Sequence, residues 1–185
     1  MNALLCQEFV ERFNNRVRWV FGYGSLMWNP EFGHEESHPA RLYGYHRALC
    51  LWSVRYRGSP QNPGLVAGLA PGGCCRGMVF RFEKRHGSKV LEYLFERELI
   101  SDAYRPTIKN CYLENGKRVA ALAFISKTDH NQYAQRMPAE EAAAIVANAS
   151  GLRGSNRDYV ENTVSHLDSL GIRKTELHRI ASLLD

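Results

Sequence analysis

The residues Val20-Phe21-Gly22-Tyr23-Gly24-Ser25-Leu26-Met27-Trp28-Asn29-Pro30 predict a strand that runs into a glycine-rich turn. Upstream of the turn, large apolar residues alternate with arginine, valine and glycine, which is typical of a strand. The two glycines permit positive φ angles and the close approach of another group. A turn of this kind can aim several backbone N–H groups at one point, so it is a candidate site for an anion or an oxyanion.

Three better-known glycine motifs do not fit this stretch. A dinucleotide fingerprint requires a third glycine where Met27 stands, and a P-loop requires a Gly-Lys-Ser/Thr that is absent. A nucleophile elbow requires a glycine two residues after the serine, whereas Ser25 is followed by Leu26 and Met27. Taken alone, a tight turn after a strand is more often structural than functional, so both readings stay open at this point.

Length and composition indicate one ordinary globular domain. We assign 1–185 to a single domain, with 1–17 as a short N-terminal helical extension, because 185 residues suffice for one sizeable core. No apolar run reaches membrane-spanning length and no signal peptide is evident, which predicts a cytoplasmic protein without a membrane partner. The net charge of +5 comes from scattered arginines with acids between them, so no nucleic-acid partner is expected.

The cysteines and histidines do not form a metal pattern. Five cysteines occur without a C-x-x-C spacing, which predicts buried free thiols and no metal site. The segment 31–39 mixes histidine with glutamate, but a solvated loop explains it better than a metal site does.

The remaining pattern predicts an α+β fold built on a small mixed β-barrel with surrounding helices. Residues 40–56 should form one long strand that bends at Gly44, or two short strands. Residues 65–70 and 76–82 should form a hairpin-like pair around Pro71-Gly72-Gly73. Asn115-Gly116 predicts a second hairpin between 107–113 and 118–126. Helices are predicted at 3–14, 88–101, 138–149, 156–170 and 175–184.

Glu98 is the residue that stands out on the second of these helices. At helical spacing it shares an apolar face with Leu91 and Leu94, which places a carboxylate where apolar side chains are expected. Burial would raise the pKa of Glu98 and suit it to proton transfer near neutral pH. The alternative is that Glu98 reaches solvent or pairs with a cation such as Arg105.

Several separated motifs together resemble the ChaC-type γ-glutamylcyclotransferases. Over about Trp19 to Leu170 they follow the order and spacing of that family. They are Phe21–Pro30, Gly44-Tyr45-His46-Arg47, Arg57-Gly58-Ser59-Pro60, Pro63-Gly64-Leu65, Gly77–Arg81, Tyr93–Glu98 and Asn156-x-x-Tyr159-x-x-Asn162-Thr163.

The resemblance implies an enzyme that converts glutathione to 5-oxoproline and cysteinylglycine without metal or organic cofactor. It implies Glu98 as the catalytic acid/base. The substrate-binding residues it implies are Gly22, Tyr23, Gly24, Ser25, Leu26, Met27 and Tyr159. The expected partner is a small molecule, glutathione or another γ-glutamyl peptide.

Two other functions remain open from the sequence. At Ser101-Asp102-Ala103-Tyr104 the chain departs from the Gly-Gly that many members carry, which leaves other γ-glutamyl amines open as substrates. A non-catalytic regulatory protein that binds ligands in the same pocket is the alternative from another class, and Glu98 on the apolar face argues against it.

Overall fold

The computed structural model describes residues 3–184, and its centre is a closed five-stranded barrel. The order around the barrel is β1-β3-β2-β4-β5, and β1 closes it by pairing in parallel with β5, while the other neighbours are antiparallel. The strands are β1 Trp19–Gly22, β2 Glu36–Ser53, β3 Gly64–Arg81, β4 Tyr104–Leu113 and β5 Arg118–Ser126. The predicted α+β barrel is confirmed.

The helices lie close to their predicted positions. Helix α4 begins where Ser155 caps it, because the Ser155 hydroxyl accepts a hydrogen bond from the Asp158 amide at 2.9 Å. A two-stranded ribbon, β6 Ser150–Gly151 with β7 Gly154–Ser155, immediately precedes this cap. The helices are α1 Ala3–Asn14, α2 Gly87–Glu98, α3 Ala139–Asn148, α4 Asn156–Ser169 and α5 Glu176–Ala181.

The hairpin predicted around Pro71-Gly72-Gly73 is wrong. Residues 64–81 form one continuous strand that pairs with β2 on both sides of Gly72 and Gly73. Gly72 and Gly73 have φ angles of 93° and 73°, and Gly44 opposite them has 85°, at a register shift between Tyr43 and Tyr45. Glycine tolerates these angles, so both strands bend together at an irregularity instead of turning back. β2 also begins earlier than predicted, at Glu36, within the segment assigned to a loop.

The N-terminal helix packs on the second helix. Phe9 and Phe13 of α1 place their rings 5.4 Å and 5.8 Å from the ring of Phe95 on α2. Leu91 and Leu94 of α2 are fully buried in the same cluster, which explains the apolar face of this helix. The predicted extension 1–17 and the boundaries of the single domain stay predictions, and residues 1, 2 and 185 lie outside the described residues.

Candidate active site

The barrel and its loops enclose a cavity of about 640 Å³ at the end of β1. Ligand sites commonly have volumes of about 300–1,000 Å³, so a small peptide fits the size. Six of the predicted site residues line the cavity: Tyr23, Gly24, Ser25, Leu26, Glu98 and Tyr159. Gly22 and Met27 do not line it. Met27 is buried, and its sulfur lies 3.5 Å from Nη2 of Arg47.

The glycine turn is a short 3-10 helix over Ser25–Met27. Its hydrogen bonds run from the Met27 amide to the Gly24 carbonyl and from the Trp28 amide to the Ser25 carbonyl. The first N–H groups of a helix have no partner within it, so those of Ser25 and Leu26 are available to a ligand. Tyr23 lies just before the turn, and Arg47 holds it in place because the Arg47 Nε donates a hydrogen bond to the Tyr23 carbonyl oxygen. The turn can therefore present backbone donors to an oxygen atom of a ligand.

Close approach, and not positive φ, explains the glycine at position 24. Gly24 has a φ angle of −123°, and neither it nor Gly22 is among the residues with positive φ, so that part of the sequence interpretation is wrong. A Cβ added to Gly24 would lie 3.2 Å from the hydroxyl oxygen of Tyr159. The absent side chain lets α4 bring this hydroxyl against the turn.

Tyr159 is held rigidly from both ends. Its hydroxyl oxygen accepts a hydrogen bond from the Ala67 amide at 3.0 Å, so its own hydrogen remains available for donation. Burial raises the pKa of Tyr159 to about 12, which keeps the phenol protonated. At the start of α4 the buried Asn156 side chain accepts from the Leu65 amide at 2.6 Å and donates to the Leu65 carbonyl at 2.7 Å. These bonds fix α4, and therefore Tyr159, against β3.

Glu98 is the last residue of α2, and its side chain, 16% exposed, lines the cavity. Burial raises the pKa of Glu98 above its usual range, and the positive charges of Arg97 and Arg153 partly oppose the rise. One carboxylate oxygen lies 3.2 Å from Nε of Arg97. The cation named from the sequence, Arg105, is instead exposed on β4. Glu98 therefore has both the location and the pKa direction of a base that works near neutral pH.

Arg97 is a residue of the site that sequence reasoning missed. Its side chain is only 5% exposed, and Nη2 donates to the Ser25 hydroxyl at 2.9 Å. Nη1 donates to the Asn29 carbonyl at 2.9 Å and lies 3.2 Å from Glu31. Arg97 therefore ties helix α2 to the glycine turn. Its position seven residues after Val90, on the buried side of α2, was the available signal.

Two more groups in the cavity wall were not predicted. The indole Nε1 of Trp28 and the side-chain oxygen Oε1 of Gln132 are buried, and neither has a hydrogen-bond partner among residues 3–184. One is a donor and the other an acceptor, and buried groups of this kind normally have partners.

Within the described chain, no group of three or more His, Cys, Asp or Glu residues is arranged to hold a metal ion. Four of the five free cysteines are buried as predicted, and Cys74 is exposed. Burial raises the pKa of Cys50 to about 11, so it is a thiol at neutral pH. Among residues 3–184, no helix is both long and apolar enough to cross a membrane.

The chain is similar to known proteins over most of its length. A family described as ChaC-like protein matches residues 18–185. The chain is 36% identical over 160 residues to the glutathione-specific gamma-glutamylcyclotransferase of Escherichia coli, covering 86% of this chain and 69% of that protein. It is 34% identical to gamma-glutamylcyclotransferase 2-1 of Arabidopsis thaliana, covering 78% of this chain and 71% of that protein. The crystal structure of a yeast gamma-glutamylcyclotransferase specific to glutathione superposes with a TM-score of 0.82 at 24% identity, covering 90% of this chain and 95% of that one.

Proposed function

This chain belongs to the ChaC-like protein family, and we propose that it is a γ-glutamylcyclotransferase that degrades glutathione to 5-oxoproline and cysteinylglycine. The observation that carries the proposal is a buried carboxylate, Glu98, in the same cavity as a turn with free backbone donors. Relatives named as glutathione-specific favour this substrate over other γ-glutamyl amines and over a non-catalytic role.

The reaction needs no enzyme nucleophile because the substrate attacks itself. The α-amine of the γ-glutamyl group forms a bond to its own γ-carbonyl carbon, and the amide bond to the cysteine nitrogen breaks. A correctly held intramolecular reaction can reach an effective molarity on the order of 10⁵–10⁸ M. The main task of the cavity is therefore to hold the γ-glutamyl chain bent, and its size and rigid walls suit that task.

Glu98 is proposed to carry out both proton transfers. Its carboxylate takes a proton from the substrate's α-ammonium group, which makes the amine nucleophilic, and returns that proton to the departing cysteine nitrogen. After the attack the ring nitrogen loses its second proton, which makes the lactam neutral, and the released cysteine amine takes one up to become an ammonium group. A raised pKa brings Glu98 closer to the pH at which both transfers proceed. Arg97, at 3.2 Å, orients the carboxylate and keeps the pKa from rising further.

The negative charge on the γ-carbonyl oxygen is proposed to be stabilised by the turn. The amides of Ser25 and Leu26 and the hydroxyl hydrogen of Tyr159 are the available donors. Tyr23 closes this wall, with its hydroxyl already donating to the Phe124 carbonyl at 2.8 Å. Gly22 and Met27 support the turn from behind. An added Cβ at Gly22 would lie 3.2 Å from Leu26 and from the Met27 amide.

A cytoplasmic location stays a prediction. It is supported by the five free cysteines among the described residues, since reducing compartments keep thiols unpaired.

The proposal is tested by incubating the purified protein with glutathione and measuring 5-oxoproline and cysteinylglycine by chromatography. Equimolar release of both products is expected. γ-Glutamylalanine serves as the comparison substrate, and a higher kcat/KM on it would favour the broader cyclotransferase. If glutathione binds without turnover, the regulatory alternative is correct.

A further inference from the structure

The outer part of the cavity carries positive charge that the proposed chemistry does not use. Arg55, Arg57 and Arg153 all line it. Among residues 3–184, none of these three arginines forms an ion pair with a carboxylate. The two acids in the cavity wall, Glu31 and Glu98, both pair with Arg97. The cavity therefore has an excess of cations at its exposed end.

These arginines are held in place by other groups. The ribbon between β6 and β7 is joined to the segment after β2, since the Arg153 amide donates to the Tyr56 carbonyl at 3.0 Å. The guanidinium of Arg153 lies 4.6 Å from the centroid of the Tyr56 ring. Arg57 lies 5.4 Å from the Tyr159 centroid, and its Nη1 donates to the Ser155 carbonyl at 3.2 Å. Stacked guanidiniums keep their in-plane N–H groups available for a carboxylate.

Arg57 and Arg153 are also close enough to repel each other. The pKa of Arg57 is lowered by burial, and the charge of Arg153 lowers it further. The charge of Asp158 raises the pKa of Arg57, and it does so more strongly than Arg153 lowers it, although the two side chains form no ion pair. Arg57 and Arg153 are thus neighbouring cations without an ion-pair partner, and this suits them to bind an anion.

We propose that Arg57 and Arg153 bind the C-terminal carboxylate of the γ-glutamyl peptide, and that they select peptides with a free carboxylate over γ-glutamyl amines. This inference rests on the proposed function. An extended residue spans at most about 3.3–3.6 Å, so a dipeptide leaving group places its carboxylate roughly 7 Å beyond the bond that breaks. Glu98 is largely buried while Arg153 is exposed, so the two ends of the substrate match the inner and outer ends of the cavity.

The other carboxylate of the substrate is the competing ligand for these arginines. It sits on the carbon that bears the attacking amine, so it must remain beside Glu98 during ring closure. The glycine ethyl ester of glutathione removes the C-terminal charge and leaves the γ-glutamyl group intact. This compound separates the two assignments.

The experiment compares kcat and KM for glutathione and its glycine ethyl ester, in the wild type and in Arg153→Gln. Arg118→Gln, an exposed arginine outside the cavity, is the matched control. A hydrogen bond to a charged group is worth about tenfold to hundredfold in binding. We expect the ester to raise the wild-type KM about tenfold with little change in kcat. Arg153→Gln should raise the KM for glutathione similarly, and leave the KM for the ester unchanged.

Two results would overturn the inference. Equal KM values for the two compounds in the wild type would show that the C-terminal carboxylate is not recognised. If Arg153→Gln raises the KM equally for both compounds, the arginine is assigned to the carboxylate of the γ-glutamyl group instead. If neither compound releases 5-oxoproline, the proposed function itself is refuted, and the inference falls with it. That outcome is distinguishable from equal turnover of both compounds.

Discussion

Replacing Glu98 with glutamine should stop proton transfer while leaving the fold intact. Glutamine has the same length, but it can neither accept the α-ammonium proton nor deliver it to the leaving nitrogen. Positioned acid–base catalysis contributes about 10²–10⁴ in rate, which corresponds to roughly 3–5 kcal/mol of transition-state stabilisation. We therefore expect kcat to fall at least about a hundredfold, with a much smaller change in KM.

The contacts around Arg97 indicate that the variant will fold. The amide oxygen of the new side chain can still accept from Arg97 Nε, now 3.2 Å from the carboxylate. Arg97 also keeps Glu31 as its counter-ion at 3.2 Å, and Ser25 as a neutral acceptor at 2.9 Å. Loss of the ion pair with Arg97 destabilises the variant, whereas it no longer has to bury a charged carboxylate, which stabilises it. Because these effects oppose each other, the free energy of unfolding should change by no more than about 1 kcal/mol. For a chain of this size that is roughly 2–4 °C in Tm.

The stability difference should also depend on pH in one direction. The pKa of Glu98 is raised in the folded protein, so the wild type loses stability as pH rises from the unfolded pKa through the folded one. Glutamine does not titrate. The stability of Glu98→Gln relative to the wild type should therefore increase as the pH rises above the ordinary glutamate pKa of 4.5, which thermal melts at a series of pH values would measure.

Glu96→Gln is the matched control, because it makes the same chemical change on the exposed side of the same helix. The assay is 5-oxoproline release at saturating glutathione, together with melting curves with and without substrate. Substrate should still raise the Tm of Glu98→Gln. Near-normal turnover by a folded Glu98→Gln protein, or an equal loss in Glu96→Gln, would remove Glu98 from the mechanism. A variant that does not fold would assign Glu98 a structural role.

Three further predictions concern the turn, the pH profile and the absence of a metal. Gly24→Ala should lower both turnover and Tm more than Ser25→Ala does. The new methyl group displaces the Tyr159 hydroxyl, whereas Ser25→Ala removes only one hydrogen-bond acceptor of Arg97. The reverse order in folded proteins would make Ser25 a direct catalytic group. Arg97→Gln should move the acid limb of the kcat/KM profile to higher pH, since loss of the positive charge raises the pKa of Glu98; an unchanged limb would contradict this. Treatment with EDTA should leave activity intact, and so should a thiol-blocking reagent that is removed before the assay, even though Cys74 is exposed. A loss of activity with EDTA that added zinc restores would disprove a metal-free mechanism.

Much of the fold could be predicted because local rules decide it. Four features depend only on neighbouring residues, and the structure has each of them. They are the strand before the turn, the bend at Gly44, the Asn115-Gly116 hairpin and the Ser155 cap. The hairpin predicted at Pro71-Gly72-Gly73 was wrong because glycines with positive φ serve equally in a turn and in a bent strand. Pairing with β2, remote in sequence, decides between the two.

For the site, the sequence by itself determined the turn and the carboxylate, and the tertiary structure decided their partners. Helical spacing was enough to place Glu98 on a buried face, since that periodicity is local. It could not show that Arg97 pairs with Glu98 while also bonding Ser25, which is 72 residues away in sequence. Nor could it show that Arg57 and Arg153 meet at one end of the cavity. Such contacts depend on how the closed barrel brings distant loops together, and no pattern within one segment encodes them.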